Sequence, residues 1–172
     1  MIETERLILR HWQDEHFEAF ADMHCDPTVM ADLGGPVTIN MSKEKFERYR
    51  RAEIEHGIAR WAVEDRNGLF LGYAGVMPRM STEHPLGPHH EIGWRFKKSA
   101  WGQGYATESA KAALSHVAKE ASLADILSYT GPENLRSQAV MARIGLVRKP
   151  SLDFLLPIED DKVWHGLVWT LP

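Results

Sequence analysis

A single cysteine, Cys25, stands among 172 residues. With no partner it closes no internal disulfide, which fits a reducing compartment and leaves the fold to its core and hydrogen bonds. Long apolar runs are also missing. The longest uncharged apolar stretch, "LFLGYAGVM", falls far short of the ~20 residues that span a bilayer, so no membrane partner is expected. The opening "MIETERLILRHW" carries charges where a secretory leader needs an apolar centre, so no export signal is expected. Positive charge is not in excess either: net charge is -4 with the histidines neutral, which excludes a nucleic-acid binder held by bulk charge. No Gly-Lys-Ser/Thr follows a glycine loop, so a P-loop is excluded. Nine histidines are present, but His84, His89 and His90 lack the spacing of a zinc set and have no cysteine pair beside them, so no metal is expected. Repeats, low-complexity tracts and linker-like shifts in composition are absent. These absences point to one domain over residues 1–172, in the cytoplasm.

What is present reads as alternating strands and helices. "ERLILRHW" alternates as a strand, with Leu7 and Leu9 on one face. Asp14 is placed to cap a helix to about Cys25, with Phe17, Phe20 and Ala21 on its buried stripe. "DPT" breaks it, a short turn covers Val29 to Leu33, and Ser42 opens a second helix, Lys43 to His56, stopped by Gly57. "IARWAVED", "RNG" and "LFLGYAGVM" form a hairpin, because Asn-Gly supplies the positive φ of a tight turn. "PRMSTEHPLGP" is loop and "HHEIGWRF" a strand. A helix then runs to about Lys119, followed by the strand "ADILSYTG". "PENLRSQAVMARIG" is a helix capped by Asn134 and stopped by Gly145. "LVRKPSLDFLLP" and "DKVWHGLVWTL" pair as a last hairpin around Ile158 to Asp161. The order is β-α-α-β-β-β-α-β-α-β-β, an α/β fold whose mixed sheet is mostly antiparallel. A strand-helix-strand passage runs parallel, so "HHEIGWRF" and "ADILSYTG" should lie side by side in the middle.

The helix start at "KKSAWGQGYATESAKAAL" carries the most information. Ala106, Ala110, Ala113, Leu114 and Val117 share one face, so the helix lies flat on the sheet with its start beyond the C-terminal end of a central strand. Open α/β sheets place ligands at that edge. Free N–H groups from Gly102 to Thr107 point outward there, and the helix dipole adds about half a positive charge. Glycine lets a phosphate come close to such a backbone. The plain alternative is an ordinary strand-to-helix corner. Gly102-Gln103-Gly104 with Thr107 in third place departs from the dinucleotide fingerprint, and Asp125 precedes the next strand where that fingerprint needs a carboxylate after it. A dinucleotide-binding reductase is therefore the weaker reading.

"EIGWRFKKSAWGQGYATESAKAAL" resembles the acyl-CoA-binding motif of the GNAT superfamily of N-acetyltransferases. The family's diphosphate signature falls on Trp101, Gly104 and Ala106, with Trp101 departing from its Arg or Gln. Trp-Gly-x-Gly-Tyr-Ala-Thr-Glu is similar to the branch of the RimJ and RimL ribosomal-protein N-acetyltransferases. That branch's second motif resembles Pro132, Asn134, Ser137 and Gly145-Leu146, and "ETERLILR" resembles its opening. The likeness spans nearly the whole chain in one order. It implies the GNAT (acyl-CoA N-acyltransferase) fold, with two splayed parallel central strands and acetyl-CoA lying in the V between them. The diphosphate rests on the amides of Gly102, Gln103, Gly104, Tyr105, Ala106 and Thr107, and the pantetheine pairs with the main chain of Trp94, Arg95 and Phe96 like an added strand. Asn134 reaches the cleft, caps its helix, or does both. Family members often dimerise, so a homodimer is a possible state.

The implied chemistry needs a neutral amine, a polarised thioester and a protonated thiolate. An N–H of the "GWRF" strand is placed to bind the developing oxyanion. Glu91 is the candidate base, directly or through water, sharing a strand face with Gly93 and Arg95; the alternative is a surface carboxylate paired with Arg95. His89 and His90 are neighbouring substitutes. The family's proton-donating tyrosine falls on Met141, which has no proton to give, so Ser137, one turn earlier, is the candidate acid; its alternative is a local hydroxyl bond. An α-amine of pKa near 8 costs about 1.4 kcal/mol to neutralise at pH 7, a lysine roughly 4.6 kcal/mol. Weak acid-base machinery therefore favours the α-amine of a protein N-terminus, amino acid or small molecule. An acyl-CoA-binding module without transferase activity is the alternative. Cys25 is expected to pack at a helix end, and Trp12, Trp61, Trp164 and Trp169 to line core or groove. "KEKFERYRRAEIEH" reads as a solvated face, although the family places its first two helices beside the acceptor, which would bring Phe46 and Tyr49 to substrate.

Overall fold

The computed structural model describes residues 1–120, 123, 125–157 and 162–172. Nine strands share the sheet: β1 (Ile2–Glu3), β2 (Leu7–Arg10), β3 (Arg60–Asp65), β4 (Phe70–Arg79), β5 (His89–Phe96), β6 (Ile126–Thr130), β7 (Val147–Arg148), β8 (Phe154–Pro157) and β9 (Val163–Thr170). Their order is β1-β2-β3-β4-β5-β6-β9-β7, with β8 paired to β9. Among the described residues only β5 and β6 run parallel. The helices are α1 (His16–Cys25), α2 (Pro27–Met30), α3 (Ile39–His56), α4 (Tyr105–Glu120) and α5 (Leu135–Arg143). No helix among the described residues is long and apolar enough to cross a membrane.

Strand alternation gives the sheet a core on each face. Trp61 and Val63 of β3 point to a cluster under α4 and α5 that holds Ala110, Ala113, Val117 and Met141. Ala62 between them points to a second cluster under α1 and α3, built on Trp12, Phe20, Phe46 and Tyr49. The helix stripe read from the sequence is thus the buried face of α4.

Several boundaries differ from the sequence reading, each for a local reason. Asp14 does not cap α1; its carboxylate pairs with Arg50 at 2.7 Å, and the cap position, Glu15, makes no side-chain bond. The segment after Cys25 gains a turn of helix because the Asp26 carboxylate accepts from the amides of Thr28 and Val29. α3 begins at Ile39, where the Thr38 hydroxyl accepts from the Met41 amide, and Ser42 is buried inside it. "LVRKPSLDFLLP" is not one strand: a 3₁₀ turn at Pro150–Leu152 separates β7 from β8, and Arg148 and Asp153 clamp its ends. The turn expected around Ile158 to Asp161 lies outside the described residues. Cys25 is exposed, not packed.

The parallel pair is short. Only His90 and Glu91 of β5 lie in register with Ile126 and Leu127 of β6. Beyond them the strands part, bridged by the Ser128 hydroxyl donating to the Ile92 carbonyl at 2.8 Å. That gap positions everything that follows.

Candidate active site

At the end of β5 the chain turns through Lys98–Ala100 and enters α4 by way of two left-handed glycines, Gly102 (φ 76°) and Gly104 (φ 80°). Among the described residues, the amides of Gly102, Gln103, Gly104, Tyr105, Ala106 and Thr107 have no acceptor; the first helical amide so satisfied is Glu108, on the Gly104 carbonyl. A Cβ built on Gly102 meets nothing within 4 Å, so these glycines are there for backbone shape and an open approach, not for packing. The N-terminal arm fixes the corner. Arg6 donates to the Gln103 carbonyl at 2.9 Å and pairs with Glu108 at 2.6 Å, while the Thr4 hydroxyl also donates to Glu108. Trp101, where the resemblance has Arg or Gln, donates its indole N–H to the Phe96 carbonyl, and the Arg136 guanidinium lies over its ring at 3.7 Å.

Because the main chain alternates along β5 and the Ile92 carbonyl faces β6, the main-chain groups of Trp94 face the gap too. Below the gap opens a cavity of about 220 Å³, lined by residues that include Glu91, Trp94, Arg95, Ser137 and Met141. Ser137 is half-buried, and its amide is taken by the Asn134 side chain at 3.1 Å. Asn134 also donates to Asp32 at 2.9 Å, so it both caps α5 and holds a cavity residue.

Glu91 is buried, and its pairing differs from the Arg95 alternative. Its two oxygens take Arg60 of β3 at 2.6 Å and Arg79 of β4 at 2.7 Å, and Tyr129 of β6 lies 3.4 Å away. Burial pushes the carboxyl up, but Arg60 and Arg79 overcome it and hold it at about 2. Arg95 turns instead to Asp32, 2.9 Å away. Burial and Glu91 raise the Tyr129 hydroxyl above its ordinary value. That hydroxyl also lies 3.4 Å from Nε2 of His89, whose Nδ1 is 2.7 Å from the Gly87 carbonyl. Desolvation lowers His90.

The cavity therefore joins Glu91 and Ser137, the glycine corner lies outside its lining, and the cavity adds residues the sequence reading missed: Asp32, Arg60, Arg79 and Tyr129. Arg60 left one signal, a cation within the otherwise apolar "IARWAV". Gly93 left another, because a Cβ there would collide with the Arg60 guanidinium. Of the two α3 aromatics, Tyr49 lines the cavity and Phe46 lies in the core.

Residues 6–147 match the family described as acetyltransferase (GNAT) domain. The chain belongs to the GNAT acetyltransferase family. It is accordingly an acetyl-CoA-dependent N-acetyltransferase. It is 31% identical over 145 residues to the uncharacterized protein YkkB of Bacillus subtilis, covering 83% of each chain. It is 32% identical over 151 residues to the FsC-acetyl coenzyme A-N(2)-transacetylase of Aspergillus fumigatus, covering 84% of this chain and 64% of the fungal protein. An acetyltransferase structure from Agrobacterium tumefaciens superposes with a TM-score of 0.81 at 26% identity, over 99% of this chain and 93% of the other. RimL, a ribosomal L7/L12 alpha-N-protein acetyltransferase solved in complex with coenzyme A, shares the fold at a TM-score of 0.75 and 14% identity, over 97% and 94% of the chains. The GNAT fold expected from the resemblance is the one observed.

Proposed function

We propose that this enzyme moves the acetyl group of acetyl-CoA to an α-amino group by direct attack in a ternary complex, as a single cytoplasmic domain of the RimJ/RimL-like branch. The observation that carries the reading is the row of six acceptor-free amides from Gly102 to Thr107 at the start of α4. A bound diphosphate would supply the missing acceptors, and the helix dipole favours its charge. RimL, solved with coenzyme A, provides a fold-level parallel. The main chain of Trp94 would hold the pantetheine in the β5–β6 gap and Phe96 offers its N–H, while Arg95 contributes by its pairing with Asp32. β9 supports the single-domain reading, because it pairs with β6 beside the gap.

In the reaction, the acceptor nitrogen forms its bond to the acetyl carbon as the carbon–sulfur bond breaks; the nitrogen loses a proton and the sulfur gains one. Ser137 passes its hydroxyl proton to sulfur from the cavity wall and takes one back from water, so the net proton gained by sulfur balances the one lost by nitrogen. Glu91, held at about 2, is a poor final resting place for the amine proton: transfer from a group near pKa 8 is uphill by about 8 kcal/mol. Glu91 therefore attracts and orients the ammonium or its water. The proton leaves through water or through Tyr129 to His89, whose Nε2 is free to accept when Nδ1–H donates to Gly87. Such weak base chemistry suits an α-amine better than a lysine side chain. The N(2) in the name of the Aspergillus relative is in keeping with this choice.

The test is calorimetry followed by turnover. The wild-type protein should bind coenzyme A with measurable heat, and Gly104→Val, which forces a β-branched side chain to φ 80°, should lose it while keeping its circular dichroism. Wild-type protein should then acetylate N-terminal peptides or free amino acids at least ten-fold faster than lysine side chains or polyamines. No heat with coenzyme A would overturn the donor site; a clear preference for lysine side chains would overturn the acceptor class.

A further inference from the structure

The cavity holds more positive than negative charge. Lys45, Arg48 and Tyr49 fall at i, i+3 and i+4 on α3, so one face of that helix brings all three to the cavity wall. Among the described residues neither Lys45 nor Arg48 makes an ion pair, whereas Arg50 on the same helix pairs with Asp14 and lies near Glu47. The sheet side adds to the imbalance. Arg60 and Arg79 share one carboxylate, Glu91, while Arg95 is matched by Asp32. Five cations thus face two carboxylates in a space of about 220 Å³. Arg60 and Arg95 each also keep a buried Nε–H without an acceptor.

Arg60 is buried, Lys45, Arg79 and Arg95 are partly buried and Arg48 is exposed at the rim, so the excess positive charge faces the cavity and is open to an anion that comes with the ligand. The neighbours register the same field. Burial pushes the Tyr49 hydroxyl up, yet Lys45, Arg60 and Arg79 hold it below the usual tyrosine range. None of the cavity's lining residues comes from the glycine corner, so this charge is separate from the diphosphate cradle. The volume lies below the ~300–1,000 Å³ of pockets for drug-sized ligands, so the occupant is small.

We propose that the acceptor is a small primary amine that carries its own carboxylate or phosphate, held by Lys45 and Arg48 at the α3 wall while its nitrogen reaches the β5–β6 gap. The proposal rests on the acetyl-transfer reading above and concerns its acceptor; a carboxylate-bearing acceptor falls within the α-amine class argued there, and a phosphate-bearing one would replace it. Matched amines test it: L-amino acids against their amides for the carboxylate, phosphoethanolamine against ethanolamine for the phosphate, with coenzyme A release as the signal. The anionic member of at least one pair should have a kcat/KM at least ten-fold higher, and whichever pair shows the larger ratio identifies the anion. In Lys45→Glu/Arg48→Glu that ratio should fall below three-fold while the heat of coenzyme A binding is unchanged. Arg48→Glu alone, at an exposed helix position, serves if the double variant does not fold. Titration of coenzyme A-saturated protein with each amine gives a readout that needs no turnover, and only the anionic members should release heat. Equal rates or heats within both pairs, or a preference that survives the charge reversal, would overturn the proposal. Loss of coenzyme A heat in the wild type would instead overturn the acetyl-transfer reading beneath it.

Discussion

Ser137 brings a hydroxyl to the cavity with its own amide already satisfied by Asn134, so its side chain is not needed to cap the helix. Ser137→Ala should therefore lower kcat ten-fold or more and leave coenzyme A affinity within two-fold by calorimetry; an unchanged kcat would remove the hydroxyl from proton delivery. Legibility was uneven at this scale. Glu91 stood out because a carboxylate on a central strand facing a ligand edge is chemically conspicuous. Its partners did not, because Arg60 and Arg79 reach it from β3 and β4, and strand register across a hairpin decides which side chains meet. Only the small residue Gly93 and the cation within "IARWAV" hinted that a guanidinium was buried there.

Among elements, the decisive junction is where the segment after α2, strand β5 and helix α5 meet through Asp32, Arg95 and Asn134. Asn134 acts in two directions, accepting from the Ser137 amide and donating to Asp32. Asn134→Ala should cost about 1 kcal/mol from the lost cap, within a range of roughly 0.5–2 kcal/mol. Asn134→Asp keeps a good cap residue but sets a second carboxylate against Asp32, so urea unfolding should find it no more stable than the alanine variant. Full recovery by aspartate would mean that the Asp32 contact carries nothing. The helices and strands themselves were legible because their periodicities and stops are local: Gly57 and Gly145 end helices as read, and "HHEIGWRF" is a strand over its whole length. What escaped was capping chemistry. Asp14, Thr38 and Ser42 are all competent caps, but Asp14 pairs with Arg50 and leaves α1 without a side-chain cap, while burial of Ser42 inside α3 leaves that helix to Thr38.

For the whole molecule, acid stability follows from two buried groups on the α1–α3 side of the sheet. His24 is fully buried against Phe20 and Tyr73, its Nδ1 is 2.8 Å from the Phe20 carbonyl, and its Nε2 has no partner. Desolvation, reinforced by Lys45 and by Arg95, lowers it to about 3. The unfolded chain takes up this proton near pH 6.5, whereas the folded chain resists until about pH 3, so stability falls as pH drops between those values. Glu91 acts in the same direction lower down: depressed to about 2 from an ordinary 4.5, it holds its full contribution above pH 4.5 and loses it as pH falls through 2. Between pH 6.5 and 4.5 His24 supplies the largest part of the slope, at most about 1.36 kcal/mol per pH unit, or about 2–3 kcal/mol over that window. His84 and His90, both lowered by desolvation, add to it in the same direction. His24→Leu removes the titration at the cost of one hydrogen bond. Urea midpoints measured from pH 7 to pH 4.5 should therefore decline steeply for the wild type and clearly less steeply for the variant, in which only the smaller contributions of His84 and His90 remain. Parallel declines would show that His24 is already protonated in the folded protein.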